Sequence, residues 1–161
     1  MGRLLALDIG ERRIGVALSD PMHIIASPHS VIDRKITPDY KAEIQKLISE
    51  NEVEALVIGL PLTLKNRISQ QTKKVQLIIE ELNSDLSVPI HTIDERLSSV
   101  SALNALKLKG VKTGHNKGEI DKTAAAIFLQ EFLDSKYTKS DRILRKPHNK
   151  NHLLTNLLSS V

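Results

Sequence analysis

One carboxylate between two apolar runs constrains the fold of this chain more than any other feature. Asp8 directly follows the run Leu4–Leu7, and a turn containing Gly10 separates it from the mostly apolar run Arg13–Leu18. Runs of this length and spacing predict two strands joined by a tight turn. A carboxylate at the tip of a central strand is costly to bury unless a cation or hydrogen-bond donors meet it. We therefore expect Asp8 to have a dedicated partner, and a metal ion is the simplest one.

The composition is that of a globular domain. The chain has 161 residues, of which 40% are hydrophobic and 26% charged, and this length is most simply accommodated in one core. No apolar run approaches the ~20 residues that a membrane helix needs, and early charged residues interrupt any secretory signal. Cysteine is absent. These features predict a cytoplasmic protein without a membrane partner.

The basic excess is concentrated at the C-terminal end. Residues 135–161 hold six Lys and Arg against one Asp, whereas residues 1–134 hold 17 basic against 18 acidic residues. The apolar pattern also decays beyond Tyr137. We therefore divide the chain into a folded domain, 1–137, and a basic, flexible tail, 138–161. Such a tail could either contact phosphate groups or only increase solubility.

The order of the apolar patterns predicts an α/β fold with a mixed five-stranded sheet flanked by helices. Strands are predicted at Arg3–Asp8, Arg13–Leu18, His23–Ser27, Ala55–Gly59 and Val88–Ile93. Helices are predicted at Pro38–Asn51, Ile68–Asn83, Ser98–Leu108 and Gly118–Asp134. In the last helix, the three consecutive alanines Ala124–Ala126 predict a close approach to the sheet.

Acidic side chains recur at the ends of these elements. Asp94 and Glu95 end the last strand, and Asp121 lies near the start of the last helix. Because the carboxyl ends of neighbouring strands share one edge of an α/β sheet, these acids could converge with Asp8. Like charges at close range repel unless divalent cations neutralise them. An all-oxygen site suits Mg²⁺ or Mn²⁺, and such ions activate water in phosphodiester cleavage. The set therefore predicts a nuclease.

Most of these candidates also have a purely structural explanation, which is weakest for Asp8 because it lies between apolar residues. Asp121 could favour the helix dipole, which is worth about 0.5 kcal/mol, and Glu95 could pair with Arg96. Five basic residues could either bind substrate phosphates or be solvated surface charges. They are Arg12, Arg13, Arg96, Lys117 and Lys122.

Three glycines accompany the acidic residues. Gly10 and Gly15 predict a tight turn and a close backbone approach beside Asp8. Gly59, followed by Leu60 and Pro61, either shapes a loop over the site or simply ends a strand.

Four sequence blocks, in their order along the chain, resemble the YqgF family. They are Asp8–Ala17, Val57–Pro61, Asp94–Ser99 and Ile120–Ala125, and together they span about residues 3–134. Members are described as Holliday junction resolvases or pre-16S rRNA nucleases. The resemblance implies an RNase H-like fold related to RuvC resolvases, with a metal-dependent acidic site. It also implies catalytic roles for Asp8, Glu95 and Asp121, with Asp94 as a further metal ligand.

The chain departs from the family pattern at one loop and from RuvC at one strand end. Where the family usually has a glycine shortly after Pro61, this chain has Leu62–Asn66, in which Asn66 tolerates the left-handed conformation. RuvC-type enzymes carry an acid near the end of the fourth strand, where this chain has Gly59–Pro61. The resemblance therefore implies that the second metal ligand comes from the next strand.

The leading hypothesis is a Mg²⁺-dependent endonuclease that processes the 5′ end of precursor 16S rRNA in ribosome biogenesis. One alternative is a resolvase that acts on branched DNA, normally as a dimer. Another is a non-catalytic RNA-binding or transcription-associated factor on the same fold. A sugar-kinase or Hsp70-like ATPase shares the D-x-G pattern but needs two domains and a longer chain. Both a monomer and a homodimer are compatible with the sequence.

Overall fold

A mixed five-stranded sheet organises the fold. The computed structural model describes residues 2–62, 69–95 and 117–135. The strands are β1 (Arg3–Ile9), β2 (Arg13–Ser19), β3 (Ala26–Asp33), β4 (Val53–Leu60) and β5 (Ile90–Asp94). The described helices are α1 (Tyr40–Glu50), α2 (Gln70–Asp85) and α3 (Lys117–Ser135). The strand order is β3-β2-β1-β4-β5, with β1 antiparallel to β2 and parallel to β4.

The turn between β1 and β2 closes at Gly10. Its backbone N–H donates to the carbonyl oxygen of Arg13 at 2.9 Å, and a Cβ at Gly10 would lie only 2.8 Å from that oxygen. The predicted tight turn is confirmed. It sets the register in which Asp8 pairs with Gly15.

Side-chain alternation along the strands divides the core into two layers. One layer contains Leu5 and Leu7 and packs beneath α1 and α2. The other contains Leu4 and Ala6, together with Ala17, Ala55 and Val57, and packs beneath α3. We call this second side of the sheet the α3 face. Ala124–Ala126 are buried against it, as the predicted close approach of the last helix requires.

The start of α2 is fixed against the carboxyl ends of two central strands. Ser69 caps the helix, since its Oγ accepts the backbone N–H of Thr72 at 3.1 Å. The Thr72 hydroxyl donates in turn to the carbonyl oxygen of Pro61, just after β4. Gln71 Nε2 donates to the carbonyl oxygen of Ile9 at the end of β1, at 3.3 Å. These contacts hold the edge of the sheet that carries Asp8.

The predicted sheet class and element order are confirmed for the described residues, but the predicted third strand, His23–Ser27, overlaps the observed β3 (Ala26–Asp33) by only two residues. The third strand begins at Ala26 rather than at His23, because Asp20 organises a turn there. Its Oδ1 accepts the backbone N–H groups of Ile24 at 2.7 Å and Ile25 at 2.8 Å, and His23 adopts a φ of 57°.

Several predictions lie outside the described residues: the helix Ser98–Leu108, the loop containing Asn66, and the tail 138–161. Within the described ranges, no helix combines the length and the apolar composition needed to cross a bilayer.

Candidate active site at one edge of the sheet

The start of α3 lies directly on Gly15. A Cβ at Gly15 would be 2.1 Å from the carbonyl oxygen of Asp121 and 2.9 Å from the backbone nitrogen of Lys122. Gly15 is the register partner of Asp8, and paired antiparallel residues have Cα atoms about 4.5–5.5 Å apart with side chains on the same face. Because position 15 has no side chain, the α3 backbone at Asp121 packs against β2 on the same face of the sheet to which the Asp8 side chain points. The predicted close approach at Gly15 is confirmed.

The Asp121 carboxylate is paired with Arg13. Arg13 Nε donates to Asp121 Oδ2 at 2.8 Å, and the two side chains are 27% and 10% exposed. This low exposure makes the charge-assisted hydrogen bond stronger than an ordinary surface ion pair. The sequence suggested Arg13 as a phosphate ligand. In the structure, Arg13 instead pairs with Asp121, one of the candidate catalytic acids.

Glu95 reaches the α3 face over a second glycine. A Cβ at Gly59 would lie 2.6 Å from Glu95 Oε1 and 3.1 Å from Cε1 of Phe128. Phe128 belongs to α3 and is fully buried, so its ring is fixed by packing. The missing side chain at position 59 thus leaves room for the Glu95 carboxylate beside α3. Gly59 shapes the site.

Asp94 lies on the other side of the sheet from Glu95. The register partner of Asp94 is Leu60, whose side chain belongs to the layer beneath α1 and α2. Paired residues of parallel strands have side chains on the same side. Strand alternation therefore separates the two neighbouring acids and puts only Glu95 on the face that carries Asp8.

The acids on the α3 face do not form a ready-made metal cage. Within residues 2–62, 69–95 and 117–135, no three His, Asp or Glu side chains are grouped so that they could hold a metal ion. The donors on this face are nevertheless the carboxylates of Asp8, Glu95 and Asp121, and Mg²⁺ and Mn²⁺ prefer such ligands. The chemistry of the donor set fits a hard divalent cation, while Arg13 engages one of the three.

The other predicted cationic residues pair near the surface. Arg12 Nε lies 3.6 Å from Asp33 Oδ2, and Lys122 Nζ lies 2.8 Å from Glu119 Oε1 within α3. In each pair one side chain is more than half exposed, so phosphate could replace the carboxylate at little cost. Arg96 and the Lys117 side chain lie outside the described part of the structure.

Arg34 is a cationic residue that sequence reasoning missed. Its Nη1 donates to the carbonyl oxygens of Gly10 at 3.0 Å and Glu11 at 3.3 Å. Its guanidinium lies 4.8 Å from the centroid of the Tyr40 ring, within cation–π range. These contacts join the end of β3 to the β1–β2 turn. No local sequence pattern predicts these contacts, because Arg34 is 24 positions from Gly10.

Comparison with known proteins gives consistent matches. A family model described as RuvX, Holliday junction resolvase, matches residues 2–135. A relative from Chloroflexus aurantiacus strain J-10-fl, named "Putative pre-16S rRNA nuclease", is 41% identical over 146 residues, covering 91% of this chain and 95% of the relative. A relative of the same name from Roseiflexus sp. strain RS-1 is 44% identical over 134 residues, covering 83% and 95%.

The solved structures with this fold include RuvC of Thermus thermophilus. The structure described as RuvC in complex with Holliday junction substrate gives a TM-score of 0.52 at 12% identity, covering 83% of this chain and 94% of that chain. A second RuvC structure gives 0.50 at 13% identity, covering 81% and 93%. At such identities the likeness shows the fold alone, and the RNase H-like fold is confirmed. The family match and the two relatives show that the chain belongs to the RuvX family, which the four sequence blocks identified as YqgF.

Proposed function

We propose that this protein is a metal-dependent endonuclease that cleaves a phosphodiester bond at the 5′ end of precursor 16S rRNA. One observation carries the proposal: Asp8, Glu95 and Asp121 come from distant segments to the α3 face, where Gly59 leaves space for the Glu95 carboxylate and Gly15 leaves space for the α3 backbone at Asp121. Membership of the RuvX family and the names of the relatives support it.

The residues that would hold the ion are Asp8, Glu95 and Asp121. When bound, Mg²⁺ or Mn²⁺ supplies a Lewis acid that lowers the pKa of a water and stabilises charge on the leaving oxygen. Asp8 is held in a strand between two neighbours, and Asp121 on a helix packed against that strand. Carboxylates on such rigid elements need little reorganisation when ligand and substrate bind.

Arg13 determines how Asp121 could take part in binding an ion. The guanidinium balances the charge of Asp121 and hydrogen-bonds Oδ2. An ion held through Oδ2 would compete with Arg13 for that oxygen, and the guanidinium would become available to another anion. Arg13 then presents its guanidinium at a site where the substrate brings a phosphate, which it can bind with two parallel hydrogen bonds. In this account Arg13 is a charge-balancing residue before it is a phosphate ligand.

A four-way DNA junction is the second candidate substrate. The description of the matching family model and the shared fold with RuvC favour it. The same carboxylates would do the same chemistry, but symmetrical cutting of two strands needs two active sites and so a dimer.

The test compares both substrates under one set of conditions. The purified protein is incubated with a fragment spanning the 5′ end of precursor 16S rRNA, or with a four-way DNA junction, in Mg²⁺ or in EDTA. We expect Mg²⁺-dependent cutting of the RNA and at least about 10- to 100-fold slower cutting by Asp8→Asn, as for loss of a group that supports a metal site. Asp85→Asn, at the exposed end of α2, is the matched control.

Each outcome separates the candidates. Cutting of the junction and not of the RNA, with a dimer in sedimentation, would establish the second candidate instead. Equal cutting by wild type and Asp8→Asn would contradict the site. Failure to cut either substrate, with no binding of Mn²⁺ in calorimetry, would favour a non-catalytic RNA-associated factor.

A further inference from the structure

We propose that a pocket beyond the β1–β2 turn binds phosphates of the polynucleotide that flank the cleavage site. The pocket has a volume of about 420 Å³ and is lined by Glu11, Arg12, Arg34, Lys35, Pro38 and Tyr40. We call it the basic pocket, since three of its six residues are cationic and one is acidic. The inference rests on the proposed function, because it concerns how the same substrate is held.

The positive charges of the basic pocket are only weakly neutralised by nearby carboxylates. The acidic residue, Glu11, lies 3.1 Å from Lys74 Nζ and so already has a cation. Arg12 has a side chain that is 58% exposed and pairs with Asp33 only at 3.6 Å. Among the described residues no carboxylate pairs with the Lys35 ammonium. An exposed surface with this excess of cations attracts phosphate.

Arg34 is preorganised within the basic pocket. Two backbone carbonyls fix its Nη1, the Tyr40 ring supports one face of the guanidinium, and its backbone N–H donates to the carbonyl oxygen of Arg12 at 2.7 Å. The hydrogen bonds that Nη1 donates to these carbonyls do not use the N–H groups on Nε and Nη2. Because the side chain is already ordered, binding a phosphate there loses little rotamer entropy.

The position of the basic pocket favours a polynucleotide over a free phosphate. Arg12 follows Asp8 by four residues, so their Cα atoms are at most about 15 Å apart. A nucleic-acid strand advances about 3.4 Å per nucleotide along a helix axis. A single chain can therefore contact both the candidate active site and the basic pocket within roughly five nucleotides. Inorganic phosphate is too small to contact the candidate active site and the basic pocket at the same time.

The test measures RNA binding without cleavage. A fluorescein-labelled single-stranded RNA of about 20 nucleotides, longer than the site of one small binding domain, is titrated with protein in EDTA and followed by anisotropy. For Lys35→Gln we expect Kd to rise about fivefold, as for loss of an exposed ionic contact. We also expect the slope of log K against log salt to weaken by about 0.7, the value for one phosphate contact on a single strand.

Two further pairs of variants make the assignment specific. Lys46→Gln removes the same charge from α1, where Lys46 pairs with Glu50 at 3.9 Å, and should leave the Kd and the salt slope unchanged. Lys35→Arg keeps the charge and should have the salt slope of the wild type. Tyr40→Leu removes the ring that supports the Arg34 guanidinium and should weaken RNA binding. Tyr40→Phe keeps the aromatic face and should bind RNA like the wild type.

The inference fails if Lys35→Gln and Tyr40→Leu bind RNA like Lys46→Gln, or if the wild type binds no RNA. It also fails if inorganic phosphate displaces the RNA only through its general effect on ionic strength and does so equally for the wild type, Lys35→Gln and Tyr40→Leu. A protein that binds RNA through the basic pocket but cuts neither substrate would refute only the proposed function. A protein that cuts RNA while these variants bind normally would refute only the basic pocket.

Discussion

Arg13 of β2 and Asp121 of α3 are joined by a 2.8 Å hydrogen bond between Nε and Oδ2, although 108 positions separate them in the chain. The bond lies beside the point where the α3 backbone rests on Gly15. One contact therefore both attaches the last helix to the central hairpin and holds an acid of the candidate active site. We therefore expect changes at this place to affect both metal binding and stability, and suitable variants to separate the two effects.

Replacing Arg13 with Gln should strengthen divalent metal binding. The substitution removes a cation from the site together with the hydrogen bond that Arg13 Nε donates to Asp121 Oδ2, and both effects favour an incoming Mn²⁺. We expect about fivefold tighter Mn²⁺ binding in calorimetry, which corresponds to about 1 kcal/mol. Arg12→Gln is the control, since it removes the same charge one residue away from a pair with Asp33. Weaker Mn²⁺ binding by Arg13→Gln would show that Arg13 orients Asp121 instead of competing for it.

Gly15→Ala should destabilise the fold. The new Cβ would lie 2.1 Å from a backbone atom of α3, and a helix backbone cannot move aside as a flexible side chain can. Overpacking of this kind lowers the free energy of unfolding by about 3 kcal/mol, measured by urea unfolding. Gly118→Ala, in the same helix, would meet Val31 Cγ2 at an ordinary 3.6 Å. It should raise the free energy of unfolding by about 0.5–1 kcal/mol, through helix propensity. Equal effects of the two variants would contradict this packing of α3 on β2.

Glu95 and Asp94 should differ in their effect on activity despite being neighbours. Gly59 makes room for Glu95 on the α3 face, whereas Asp94 pairs with Leu60 and lies on the other side of the sheet. We expect Glu95→Gln to lower the rate of RNA cleavage by at least about 10-fold. Asp94→Asn should lower it by less than about threefold, which is under 1 kcal/mol in the barrier. The reverse order, measured in single-turnover assays, would show that Asp94 is the ligand.

Asp20 should contribute stability that disappears in acid. The backbone N–H of Ile25, followed by those of Ile24 and Met22, holds the pKa of Asp20 below its usual 3.8, against an opposing effect of burial. A carboxylate whose pKa is lower in the folded state stabilises the protein above its unfolded pKa, and this contribution is lost as pH falls through the folded value. Asp20→Asn should therefore unfold at lower urea than the wild type near neutral pH. The difference should shrink below pH 3.8, and a gap independent of pH would refute this assignment.

The element order could be predicted because the signals for it are local. The Gly10 turn, the alternating strands and the three alanines of α3 each depend on residues close together in the sequence. The start of β3 was wrong because the side chain of Asp20 binds backbone groups four and five residues away. Such a turn competes with the strand pattern and leaves no apolar signal.

The acids of the candidate site could be nominated from the sequence, but their partners could not. Asp8 and Asp121 stand out by position, whereas the Arg13 pair depends on how α3 crosses β2. The choice between Asp94 and Glu95 depends on register, since a shift of one residue exchanges the faces of a strand. The contacts of Arg34 with the β1–β2 turn likewise join segments that are distant in sequence.

The most direct test of the central claim is a Mg²⁺ titration of RNA cleavage by the wild type and by Asp8→Asn, Glu95→Gln and Asp121→Asn in turn. If these carboxylates hold the ion together, every variant should cut at least about 10-fold more slowly and should need more Mg²⁺ for half-maximal activity than the wild type. Cleavage that proceeds in EDTA, or variants whose rates and Mg²⁺ requirement match those of the wild type, would contradict the account.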